Sequence, residues 1–446
     1  MANEVNPAEE RSGTLQCNVI LTIDGISVDP ANILYLAVRE WMFDDVKTPR
    51  LELIIADDGL FTDVNIPYRG KIVSLKISRD KSTEDELTAG SYIDTEFTIL
   101  DFSFVKQLGS AVGNNSEVTI TGIINIDKWF IISQDAAFAG KTSANVLSDV
   151  CSDINVKFND SSSVSDSMNW LRINQTPGQF IQHIISRANP TKQNDIVLFW
   201  IDIYKTAYYT TLDQLLSNNI VHDAKYNLEY YQEVNIKDLL FKTNRDGIED
   251  NVAKNTIWYS SLEFTNNEGS SVITQGGKTY EDKLDFNTGT FYVGKGSSSS
   301  NEPPLKLSQV ESYNQFETLL TGSINPDDIF PGVDNSLFSG SILTGQVDNV
   351  WGENYISNPY SRTSALHVLY NNKVIIEMNP NTAVLTGDKV NLEVHSNIPN
   401  DDGGYINASL SGEYLITGSL YVLIDGFFKK FLTCNRAGFN KPDIGT

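Results

Sequence analysis

The residues of this chain that could do chemistry are paired carboxylates, scattered thiols and imidazoles, and one glycine-bearing loop. The carboxylate pairs are Asp44-Asp45, Asp57-Asp58, Asp327-Asp328 and Asp401-Asp402. Hydrolysis of a glycoside takes two carboxyl groups facing each other across the sugar. Adjacent residues on a strand or turn point apart, so no such pair is itself a dyad. The turn preference of Asp accounts for all of them as solvated turn residues. Cys17, Cys151 and Cys434 are too few and too dispersed for a disulfide framework, and His183, His222, His367 and His395 share no ligand spacing. Cys151 follows Val150 on a helical face and reads as a packed thiol rather than a nucleophile for His183. Gly294-Lys295-Gly296 runs into serines rather than a helix start, so it is no phosphate cradle. There is no Gly-x-Ser-x-Gly elbow, His-Glu-x-x-His pair or P-loop. These residues predict no catalytic, cofactor-binding or metal site, and no enzyme.

The elements that would have to position such groups are mostly strands. Leu15, Cys17, Val19, Leu21 and Ile23 alternate with polar residues up to an Asp24-Gly25 turn. Leu51 to Ala56 and Lys71 to Ser78 repeat that pattern. Between Thr95 and Phe104 the apolar phase slips: Phe97 and Ile99 hold one parity, Leu100, Phe102 and Phe104 the other. A β-bulge near Ile99 reconciles them. Val118, Ile120, Ile124 and Ile126 then share a face.

Helical spacing follows at Val146, Leu147, Val150 and Ile154, behind Thr142 or Ser143 as a cap. Thr176, Pro177 and Gln179 spell a capping box for a second helix with Phe180, Ile181, Ile184 and Ala188 as its stripe. Ile196 to Ile203 reads as a covered strand, and Leu212 to Leu216 as a short helix. Strands return beyond residue 228. Gly294 to Asn301 is a linker by composition. Tyr414 to Ile424, Asp425-Gly426 and Phe427 to Cys434 form a two-residue-turn hairpin.

The fold class is thus β-rich α+β: two similar small β-barrels flanking an α/β insert, ending in a β-hairpin. The expected boundaries are a mobile tail at 1–13, a first barrel at 14–135, the insert at 136–218, and a second barrel at 219–446 with an irregular insertion at about 297–358. Similarity of the two barrels rests on Gly70-Lys-Ile-Val-Ser-Leu-Lys-Ile against Gly387-Asp-Lys-Val-Asn-Leu-Glu-Val. Each is followed by a small residue and a Tyr, at Ser91-Tyr92 and at Gly412-Glu413-Tyr414, as a duplication would leave them.

The 446 residues carry 33 Lys and Arg against 57 Asp and Glu, a formal charge of −24. That excludes broad or sequence-specific nucleic-acid binding, which needs a positive face, and disfavours an anionic membrane surface. No apolar run approaches the roughly eighteen residues of a spanning helix, so membrane insertion is not expected. The N-terminus has neither the basic nor the apolar region of a signal peptide.

Two stretches resemble the central baseplate hub proteins of contractile-tailed phages, the late-control protein D group, to which the base of the type VI secretion spike proteins (VgrG) is similar. One is Ser361 to Val394, with an Arg-led helix, a strand, and a Gly-Asp turn at Gly387-Asp388 into the next strand. The other is Ser411-Gly-Glu-Tyr-Leu-Ile-Thr with its closing hairpin. Asn379-Pro380-Asn381 stands where the family has a Pro-Gly turn, and the family's His near Ser419 and Leu420 is missing. The resemblance implies a structural protein of the virion, assembled in the host bacterial cytoplasm. It implies a homotrimeric ring with a pseudo-sixfold face joining the tail tube to the central spike around the DNA channel. Its partners would be itself, the central spike protein, the tail tube or tube-initiator protein, baseplate wedge proteins and the tape-measure protein. Phe427 and Phe428 are the interface candidates, and no cofactor is implied. The alternative is a tail-associated protein that binds or degrades envelope glycans, with Tyr208-Tyr209 and Tyr230-Tyr231 as stacking residues.

Overall fold

The computed structural model describes residues 17–43, 47–79, 92–106, 116–191, 195–226, 256–265, 279–285, 290–293, 340–346, 372–378, 383–396, 406–407, 410–424 and 427–436. Asp44-Asp45, Asp327-Asp328, Asp401-Asp402, Tyr230-Tyr231, His367, the Asp425-Gly426 turn and the segments 1–13 and 294–301 lie outside them.

The chain is β-rich. It opens with β1 (Cys17–Ile23), β2 (Ile26–Val28), β3 (Ile33–Trp41), β4 (Arg50–Asp57), β5 (Ile72–Arg79), β6 (Ile93–Lys106) and β7 (Ser116–Ile124). A mixed segment follows: β8 (Ala136–Lys141), α1 (Ser143–Asp153), β9 (Lys157–Asp160), β10 (Met168–Arg172), α2 (Pro177–Arg187), β11 (Val197–Ile201), β12 (Thr206–Thr211) and α3 (Leu212–Ser217). Then come β13 (His222–Tyr226), β14 (Thr256–Thr265), β15 (Thr279–Asp285), β16 (Thr290–Val293), β17 (Gly340–Gln346), β18 (Asn372–Met378), β19 (Lys389–Glu393), β20 (Gly412–Ile424) and β21 (Phe427–Arg436). Strand β17 falls inside the stretch read as irregular and pairs in parallel with β15.

Helices α1 and α2 of the insert start where the side chains of their capping residues satisfy orphan N–H groups. Thr142 Oγ1 accepts from Asn145 N at 3.3 Å. Thr176 Oγ1 accepts from Gln179 N, and Gln179 Oε1 accepts from Thr176 N at 3.0 Å. Asp57 departs from the solvated role expected of it. It is 3 % exposed and accepts from Phe61 N, Thr62 N and Thr62 Oγ1 at 2.9–3.0 Å, closing the turn after β4. Asp57→Ala strands those donors, so a loss of about 2 kcal/mol is expected. It would read as a lower denaturant midpoint at unchanged slope. Exposed Asp58→Ala should leave the midpoint in place.

Thirteen strands share one sheet, in the order β19-β13-β14-β18-β21-β20-β3-β4-β7-β6-β5-β1-β2, and a further β19–β20 pairing closes its first six strands into a cycle. Within it, β3-β4-β7-β6-β5 and β14-β18-β21-β20-β19 are the same arrangement twice. Gly70 and Gly387 both take positive φ, +89° and +101°. Each donates to an isoleucine carbonyl, Ile99 at 2.9 Å and Ile416 at 2.8 Å. That isoleucine's N–H returns to the residue after the glycine, Lys71 at 2.8 Å and Asp388 at 2.9 Å. Val73 faces Phe97 as Val390 faces Tyr414.

Directly past the isoleucine both strands bulge. Ile99 faces Gly122 and Asp101 faces Thr121, just as Ile416 faces Cys434 and Gly418 faces Thr433. A second bulge matches as well, between Ile33 and Tyr35 in β3 and between Tyr259 and Ser261 in β14. Since one slip moves every later side chain to the opposite face, two slips at matching positions tie the halves together residue by residue. Val73, Leu75, Phe97 and Ile99 are buried to the same degree as Val390, Leu392, Tyr414 and Ile416, all at most 1 % exposed. The register corrects one correspondence. Tyr414 matches Phe97, not Tyr92, because Phe97 and Tyr414 each stand 27 residues after their glycine.

Candidate functional site

The feature that organises the molecule is its last hairpin. Tyr421, Leu423 and Phe428 lie in the core of the first half and the insert. Tyr414, Ile416, Leu432 and Cys434 lie in the core of the second half. Leu415 joins a third cluster, with Met42 from the end of β3 and Trp200, Leu212, Leu215 and Leu216 from the insert. One strand therefore enters three cores. Its bulge at Thr417 makes this possible: before it, β20 pairs with β19; after it, Gly418 to Ile424 pair with Trp41 to Tyr35 of β3. Gly418 allows the close approach, because a Cβ there would stand 2.7 Å from the Glu40 carbonyl oxygen.

Where the three cores meet, charge is buried. Glu40 on β3 is 5 % exposed, and its Oε2 accepts from Ile203 N at 3.1 Å. Burial first, then the Asp202 carboxylate, push its pKa up to about 7. The Thr386 hydroxyl, beside the carboxylate but without a hydrogen bond of standard geometry, pulls the other way, as do Ile203 N and Lys430. Asp202 accepts from Tyr204 N, Thr206 N and the Tyr208 hydroxyl at 2.8–3.1 Å, and burial raises its pKa too. The cation is Lys430 on β21, fully buried, donating to Val384 O at 3.1 Å and lying 5.0 Å from the Tyr421 ring centre. Burial brings its pKa down to about 7 against the attraction of Glu40 and Asp388. Nearby, Lys389 Nζ donates to Leu216 O and Asn218 O, both at 3.0 Å, and pairs with Glu413 at 2.9 Å, tying the end of α3 to the second half.

The arrangement can hold three units in fixed relation, since buried charges tolerate little displacement of their partners. Phe428 belongs to it as a core ring, 9 % exposed and stacked on Tyr421 at 6.3 Å. Phe427 faces Ile424 in the hairpin, and its side chain lies outside the described residues. Tyr208 stacks on Trp200 at 5.1 Å, and Tyr209 is fully buried with its hydroxyl 2.6 Å from Ser143 Oγ. Cys151 and Cys434 are buried, and burial pushes both thiols up to about 12. His183 is held low by burial and by Arg187, whose Nη1 lies 3.2 Å away. His222 lies 3.2 Å from Asp388. Among the described residues no three His, Cys, Asp or Glu side chains gather as metal ligands, and no helix is long and apolar enough to cross a membrane. Sequence reading missed Glu40, Asp202 and Lys430. Lys430 was the readable signal, since it shares the parity of the buried Leu432 and Cys434 on a hairpin strand.

No family model and no curated protein sequence matches the chain. Similar solved structures include a tail protein from Neisseria meningitidis MC58, with TM-score 0.49 and 9 % identity over 96 % of this chain and 98 % of that one. Another is the 43 kDa tail protein of prophage MuSo2 from Shewanella oneidensis, with TM-score 0.48 and 11 % identity over 94 % and 98 %. A third is the E. coli c3393 protein, a type VI secretion component described as similar to the T4 tail proteins gp27 and gp5. Its TM-score is 0.41 and its identity 10 %, over 95 % and 79 %. With TM-scores below 0.5, these likenesses decide nothing about this chain, whose own strand register does more.

Proposed function

We propose that the chain is a structural, non-catalytic component of a phage tail: the baseplate hub, three copies of which form a ring between tail tube and central spike, around the DNA channel. The observation that carries this reading is the five-strand unit repeated in one chain with both bulges in register. Two similar five-strand units in each chain give three chains six quasi-equivalent positions. A threefold spike and a sixfold tube can then meet without symmetry mismatch. The buried junction supports it by fixing the two units of one chain relative to each other, as an evenly spaced ring requires. The motif resemblance at Ser361 to Val394 and Ser411 to Thr417 points the same way. Spike, tube or tube-initiator, wedge and tape-measure proteins are the partners this assigns, with Phe427 as the remaining aromatic interface candidate. Light scattering on the purified chain, alone and with the spike protein of the same phage, tests it. A mass of three chains in either sample is expected. A single chain in both would overturn the hub and send attention to glycan-binding assays.

A further inference from the structure

The five-strand unit occurs twice per chain and the insert once. In a ring of three chains a surface of the units is therefore presented six times, and a surface of the insert three times. One face of the insert is apolar and open. Strands β8 and β10 pair with each other, and the buried Met168, Trp170 and Arg172 mark the inner face of β10. The alternate residues point outward: Leu171, opposite the small and exposed Ala137, and then Ile173. Three bonds continue the pairing beyond Ala136. Arg172 Nε donates to Gln134 O at 3.2 Å, Asn174 N to Asp135 Oδ1 at 2.8 Å, and Ser133 N to Gln175 O at 3.1 Å. They bring the turn Phe130-Ile131-Ile132 alongside. Trp129 anchors that turn, buried against Gly178, where a Cβ would stand 2.9 Å from the indole. The three residues after it have no such cover. Phe130, Ile131, Ile132, Leu171 and Ile173 are each between 53 % and 62 % exposed. Single exposed apolar residues are ordinary, but a contiguous patch of several hundred Å² marks an interaction site.

Charge says what covers it. The nearby cations Lys128 and Lys141 are paired with Asp153 and Asp149. Asp127 and Asp135 are exposed and accept from neutral donors, Asn155 Nδ2 and Asn174 N. The rim of the patch is thus acidic in surplus, like the whole chain at −24. A second copy would bring an equal acidic rim against it, whereas a basic-rimmed surface would be drawn in and oriented. We infer that this face of the insert docks a different protein, of threefold symmetry, through an apolar contact surface bordered by Lys or Arg. The inference rests on the ring reading, which supplies the threefold partner as the central spike. It adds the place and the chemistry of that contact.

Calorimetric titration of the full chain with the purified spike protein of the same phage tests it, alongside light scattering on each mixture. Leu171→Glu with Ile173→Glu sets two carboxylates in the apolar contact, and spike affinity should fall roughly tenfold or more. Both positions are exposed, so the denaturant midpoint should hold. Val64→Glu, at a 73 % exposed site in the turn after β4, should leave spike binding unchanged. Asp135→Asn keeps an acceptor for Asn174 N and removes only the charge. It should weaken spike binding severalfold at low salt and flatten the salt dependence. This variant decides the matter even if the double one is destabilised. Were the patch a joint between copies, Asp135→Asn would relieve repulsion and strengthen association, and that result would overturn the inference. Spike binding by the wild type that neither patch variant changes would also overturn it, while leaving the hub in place. A wild-type chain that stays single and ignores the spike would remove the hub reading and this contact together.

Discussion

Lys430→Met is expected to cost about 3–5 kcal/mol, the penalty for removing one of two mutually attracting buried charges, Lys430 and Glu40. The side chain is fully buried, and the Glu40 carboxylate it offsets stands beside a second carboxylate, Asp202. Glu40→Gln alone strands the ammonium in the same way and should cost a similar amount. The double variant Glu40→Gln with Lys430→Met removes both charges and should recover most of the loss, since apolar or neutral replacement of a buried pair is often neutral or better. The sign of the pH dependence follows from the directions of the shifts. Glu40 holds its proton more tightly when folded, so its contribution is full below about pH 4.5 and falls as pH rises through about 7. Lys430 holds its proton less tightly, so its contribution is full above about pH 10.5 and falls as pH drops through about 7. Wild-type stability should therefore sag near neutrality, and the double variant should not. The Lys430→Met penalty should shrink at pH 5, where Glu40 is protonated in the wild type as well. Denaturant midpoints of the four proteins at pH 5, 7 and 9 decide it. Additive single penalties would show that the two groups are not coupled.

How far the sequence could be read depended on whether the signal was local. The bulge at Ile99 was legible because it shifts the parity of five nearby apolar residues. The Thr176 capping box was legible because its residues lie three apart. The burial of Asp57 was not, because an Asp before Asp-Gly reads as a turn whether its carboxylate meets water or Phe61 and Thr62 N–H groups. The junction was least legible. Glu40, Asp202 and Lys430 come from β3, the end of β11 and β21, and nothing in their immediate neighbours marks them as partners. The repeat lay between these extremes. Its glycines and strand pattern were visible, yet Phe97 was hidden by Tyr92, which looked like the better aromatic match until the pairing counted residues from the glycine.

Phe97→Ala and Tyr414→Ala probe one position of the repeated unit in its two settings, and each should cost about 3–5 kcal/mol, as deletion of a buried aromatic ring does. Both rings are at most 1 % exposed. Phe97 belongs to the apolar core of the first half, whereas Tyr414 also donates its hydroxyl to Leu410 O at 2.7 Å and lies beneath Arg436 at 4.7 Å. The tyrosine loss should accordingly fall at the upper end. The more telling quantity is where the loss appears. In a chain of this length the two halves would by default unfold separately. Here β20 and β21 belong to both, and their interior residues reach all three cores, so neither half can open without losing strands the other needs. Amide exchange should show Phe97→Ala lowering protection in β19 and β20 as well as in β5 to β7, and Tyr414→Ala lowering it in β3 and β4 as well as in β18 to β21. Loss confined to the mutated half would mean that the hairpin bends at its bulge while each half keeps its own stability, and a ring built from such chains would flex within each copy.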